Sequence, residues 1–84
     1  RAAIADRLAT AADYLGIAGG FDGFHAFVGQ LNATLGIPAR LSDLGVADLD
    51  RAAVLRGALA DPSCGGNPIE LTAGNVEGLL AEVL

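Results

Sequence analysis

The amino-acid sequence predicts an all-α fold, an irregular bundle of about four helices. Three observations predict it. Apolar residues recur at intervals of three and four along most of the chain. Alternation of period two never lasts beyond a few residues, so no strand pattern competes. Glycine and proline sit at the breaks between the periodic stretches, as helix punctuation requires.

The elements follow in order. Ile4, Leu8, Ala11, Ala12 and Leu15 form the apolar stripe of a first helix, with Asp6, Arg7 and Asp13 largely on the other side. Gly16 stands where a C-terminal cap is needed, and Gly19-Gly20 marks a turn. A second stripe runs through Phe21, Phe24, Phe27, Val28, Leu31 and Leu35. Asp22 lies near its start, where the positive end of the helix dipole favours a carboxylate. Gly36 ends this helix, and Pro38 prevents its continuation. Gly23 and Gly29 each weaken it by about 1 kcal/mol relative to Ala. A close helix neighbour is the expected reason for them.

Leu41 to Gly45 reads as a short helical turn or a loop. A third helix is expected from about Asp48 to Ala60, with Leu49, Ala52, Ala53, Val54, Leu55 and Leu59 on a wide face, and Asp61-Pro62 ends it. Asp61 to Leu71 is the one long irregular stretch. Thr72 is the expected N-cap of a final helix whose stripe is Val76, Leu79, Leu80, Val83 and Leu84.

The 84 residues allow at most one domain, and a domain of that size is marginally stable alone. The chain opens on Arg1 with a helical pattern running by Ile4 and stops at Leu84 inside another. Residues 1–84 are therefore expected to be a partial helical domain of a longer protein. Hydrophobic residues make up 52 %, much of it alanine, so either an Ala-rich core or a face packed on absent polypeptide accounts for the excess. The net charge of −5 and the lack of a Lys/Arg stripe argue against nucleic-acid binding. A single cysteine cannot build a disulfide framework, which suits a reducing, cytoplasmic compartment, and no signal peptide is visible. The longest uncharged run, Gly23 to Ala39, contains His25, Gln30, Asn32 and Pro38, so no membrane span is expected.

Residues able to do chemistry are few. His25 is the only histidine and lies just beside the second stripe, the position of a boundary residue with one ring nitrogen hydrogen-bonded. No His/Cys/Glu cluster stands at metal-ligand spacing. Cys64 is either a small buried hydrophobe or a residue lining a cleft, with nothing nearby in sequence to activate it as a nucleophile. Gly65-Gly66-Asn67-Pro68 fails as a phosphate-cradling loop, since no strand precedes it and no lysine follows. Its local reading is a stiff, side-chain-poor loop. The glycines permit left-handed or close-approach backbone, Asn67 bonds its own backbone, and Pro68 pushes Asn67 to an extended conformation. Such a loop lets a ligand or a neighbouring helix approach closely. Asp43, Asp48, Asp50 and Asp61 are read as solvating residues that favour helix N-termini.

Leu35-Gly36-Ile37-Pro38, Leu41-Ser42-Asp43-Leu44-Gly45-Val46 and Asp48-Leu49 are followed by an Ala-rich helix, by Asp61 to Pro68, by Thr72 and by a short final helix. In that order and spacing, from about Leu31 to Leu84, the sequence resembles the C-terminal helical region of iron-containing (group III) alcohol dehydrogenases. No single string is diagnostic; the order carries the likeness. The resemblance implies the late part of a dehydroquinate synthase-like helical domain, preceded by an α/β nucleotide-binding domain absent from this chain. It implies hydride transfer between NAD(P) and an alcohol or carbonyl compound, with Fe2+ or Zn2+ held by one Asp and three His upstream of these residues. His25 matches none of those ligands. This chain alone is then inactive and holds no catalytic, cofactor-binding or metal-binding residue. The resemblance does imply that Cys64, Gly65 and Gly66 line the substrate side of the cleft, with Asn67 and Pro68 fixing the loop. Many members of the family carry arginine after the Asn-Pro pair; here it is Ile69, which puts that arginine's role in doubt.

Two relatives within the same superfamily, maleylacetate reductases and glycerol dehydrogenases, are alternatives. From another class, a small acidic helical binding or oligomerisation module remains open. An acyl carrier protein is disfavoured, because Ser42 precedes Asp43-Leu44 and Ser63 lies in a loop, whereas the phosphopantetheine serine follows its aspartate at a helix start. The expected partners are the remainder of the protein's own chain and, through an exposed apolar face, a second copy.

Overall fold

The computed structural model describes residues Arg1 to Leu84 and is all-helical, with four α-helices and no strand. The helices are α1 (Ala5–Leu15), α2 (Gly20–Thr34), α3 (Arg51–Ala60) and α4 (Ala73–Val83). Two short 3-10 turns, Leu41–Leu44 and Pro62–Gly66, lie before and after α3. The chain divides into two compact units, Arg1–Ile37 and Pro38–Leu84.

Three segments stop in the same way. The triplet Leu-Gly-Ile or Leu-Gly-Val occurs at Leu15-Gly16-Ile17, Leu35-Gly36-Ile37 and Leu44-Gly45-Val46. Its glycine is left-handed each time, with φ of 71°, 69° and 81°. Ile17 donates to the Ala12 carbonyl, Ile37 to Asn32 and Val46 to Leu41, while the glycine N–H groups donate to Asp13, Ala33 and Ser42, each three residues back. These paired bonds satisfy carbonyls that a helix end leaves unpaired, and the glycine avoids the Cβ penalty of that conformation.

In the first unit α1 packs on α2. Ile4, Leu8 and Ala11 are half-buried and Ala12 is fully buried, as the first stripe predicts. Leu15 departs from it and is 58 % exposed, because it falls on the last residue of the helix beside the Gly16 stop. The second stripe divides. Phe21 and Phe24 are half-buried, whereas Phe27, Val28, Leu31 and Leu35 are exposed. α1 is shorter than α2, so it covers only part of that stripe.

Gly23 is required by a close approach, although not by a neighbouring helix as expected. A Cβ there would lie 1.8 Å from the Ala18 carbonyl oxygen, in the turn that leads into α2. Gly29 has nothing within 4 Å of such an atom, and the structure shows no reason for it.

In the second unit α3 packs on α4 and on the second 3-10 turn. α3 begins at Arg51, not at Asp48, because the Asp50 carboxylate accepts the Ala53 N–H at 3.0 Å and so caps the helix there. Asp48 and Leu49 precede it without regular structure. Of the expected wide face only Leu49, which precedes the helix, and Leu55 are half-buried; Ala52, Ala53, Val54 and Leu59 are exposed, and Ala58, outside that face, is half-buried. α4 starts as read. Thr72 accepts the Asn75 N–H, and the Asn75 side chain accepts the Thr72 N–H, a reciprocal capping box. No helix is long and apolar enough to cross a membrane.

Candidate functional site

The segment from Asp61 to Leu71 holds every residue that sequence reasoning placed near a cleft. It is more regular than the irregular stretch expected, since Pro62–Gly66 forms a 3-10 turn. Pro62 forces Asp61 out of the helical region to φ −70°, ψ 126°, which ends α3 at Ala60. The Asp61 carboxylate then accepts the Ser63 N–H at 2.7 Å and caps the new turn. That hydrogen bond holds the Asp61 carboxyl below the usual carboxylate range.

Further bonds fix the rest of the segment. The Cys64 thiol donates to the Ala58 carbonyl, which lies in the last turn of α3 and also accepts the Asp61 N–H at 3.4 Å. Cys64 is half-buried, so it serves as a small clasp between turn and helix. Asn67 is extended at φ −72°, ψ 141°, as the proline after it demands, and its side-chain amide donates to the Ile69 carbonyl at 2.7 Å. The Asn75 amide reaches back from α4 to the Glu70 carbonyl at 2.9 Å. The segment is thus tied by its own side chains and, near its end, by Asn75 of α4.

The glycines are where the sequence reading needs correction. Neither Gly65 nor Gly66 has positive φ, and a Cβ at either would meet nothing within 4 Å. The 3-10 turn accommodates them without left-handed backbone, and no part of the chain approaches them closely. Both are exposed.

Ala58, Asp61, Ser63, Cys64, Gly66, Asn67, Pro68 and Leu71 surround a shallow open depression. The structure therefore brings together four of the five residues singled out from sequence, and leaves Gly65 beside the rim. The only groups in the depression able to titrate are Asp61 and Cys64, and both are spent on backbone bonds. It offers a wall held by its own hydrogen bonds and no acid–base pair. No group of three His, Cys, Asp or Glu side chains converges anywhere to hold a metal ion. No strand precedes a glycine-rich turn to cradle a dinucleotide. The residues present thus do not fit either iron or zinc or NAD(P).

One cluster escaped the sequence reading. The Arg1 guanidinium pairs with both oxygens of Asp22, one arm at 2.9 Å, and lies over the Phe21 ring with its carbon 4.5 Å from the centroid. His25 also neighbours Phe21, its ring 6.3 Å from that of Phe21 and nearly parallel. His25 is exposed. The bond to Arg1 holds the Asp22 carboxyl below the usual carboxylate range. Both partners are exposed, so the pair adds little stability. Arg1 and Asp22 lie 21 positions apart, and no periodicity in the sequence signals their meeting.

Comparison with known proteins gives no family assignment: no family model matches the sequence. No curated protein and no solved structure matches it either.

Proposed function

We propose that this chain is the C-terminal part of the helical domain of a metal-dependent, NAD(P)-linked alcohol dehydrogenase that interconverts alcohols with aldehydes or ketones. The observation that carries the proposal is the Asp61–Leu71 segment. It is held in one shape by its own hydrogen bonds, yet it presents two adjacent glycines whose presence neither backbone conformation nor crowding within the chain explains. A stretch without side chains at Gly65-Gly66 serves a surface that something else must approach. On this reading that surface is the substrate side of a cleft completed by the rest of the protein, and Cys64 and Gly66 face it. The order of the helix stops, the Asn-Pro loop and the capped last helix supports the same assignment.

Iron or zinc and the dinucleotide belong, on this reading, to polypeptide outside these residues, and so does every group that moves a proton or hydride. The apolar residues left exposed on α2, α3 and α4 are the surfaces that pack on that remainder. The 84 residues alone do not turn over substrate.

The test is made on the longer protein. The preceding sequence is expected to carry a glycine-rich nucleotide-binding region and one Asp with three His, and the full chain to reduce NAD(P) in the presence of an alcohol. Gly66→Val in that protein is expected to raise KM for the alcohol several-fold while leaving dinucleotide binding unchanged. A preceding sequence with neither feature overturns the proposal. Self-association of the isolated chain does not separate this reading from a helical oligomerisation module, because both leave the same apolar faces uncovered.

A further inference from the structure

No further inference is drawn: the strongest candidate, the unpartnered apolar face of α2 formed by Phe27, Val28, Leu31 and Leu35, carries nothing because nothing in the structure shows what covers it.

Discussion

Two glycines of one helix should respond to the same substitution with opposite signs. Gly23→Ala places a Cβ 1.8 Å from the Ala18 carbonyl oxygen and 2.9 Å from its carbon. Normal contact lies near 3.5 Å, so the turn before α2 must retreat by more than about 1 Å. The obstructing atoms are backbone and cannot rotate aside as a side chain does. Overpacking of this kind costs about 1–3 kcal/mol, and here the upper end applies. The gain in helix propensity returns about 1 kcal/mol, leaving a net loss of about 2 kcal/mol. Gly29→Ala meets no atom within 4 Å and should keep the whole propensity gain. With a urea slope of about 1 kcal/mol per molar, the first variant lowers the midpoint by about 2 M and the second raises it by up to about 1 M. Helicity at 222 nm follows both transitions. Trimethylamine N-oxide, added equally to all samples, brings a weak transition into range. A Gly23→Ala midpoint as high as that of Gly29→Ala would refute the close approach and reduce Gly23 to an ordinary weak helix former.

Other outcomes follow from the same structure. Thr72→Ala removes the cap of α4 and should cost about 1 kcal/mol, visible as faster amide exchange in the first turn, while Thr72→Ser retains most of the protection. Cys64→Ala removes the clasp to Ala58 and should raise exchange across Ser63–Asn67, at a cost of about 1 kcal/mol. Cys64→Ser keeps a donor, and equal exchange in the two variants would show that the thiol bond is idle. Asp22 and Asp61 have lowered folded-state values, so their contribution is present above the ordinary carboxylate range near pH 4 and is lost as the pH falls below it. Asp61→Asn still accepts from Ser63 but no longer titrates, so the acid-induced shift of the Ser63 amide resonance should disappear while the turn persists.

The helix ends were legible because they are local. Gly16, Gly36 and Gly45 each occupy the left-handed position after a helical segment, and Thr72 meets its partner three residues on; bonds that span so few residues leave a readable pattern. The start of α3 was misplaced because Asp48 and Asp50 are equally good caps by composition. Only Asp50 has the Ala53 N–H within reach.

In the candidate site, Asn67 and Pro68 were readable for the same local reason, since a proline constrains the residue before it wherever the chain goes. The role of Gly65 and Gly66 was not. A glycine in a sequence signals either a conformation or a close approach, and only coordinates show that neither applies within this chain.

The sequence by itself determined that the chain is helical and where most of its helices stop. Hydrogen-bond geometry over a few residues decides those features. Tertiary structure alone decided that Gly23 must stay small against Ala18, that Arg1 reaches Asp22, and that much of the α2 stripe is left uncovered. Each depends on where distant segments come to lie, and apolar periodicity names a face without naming what packs on it.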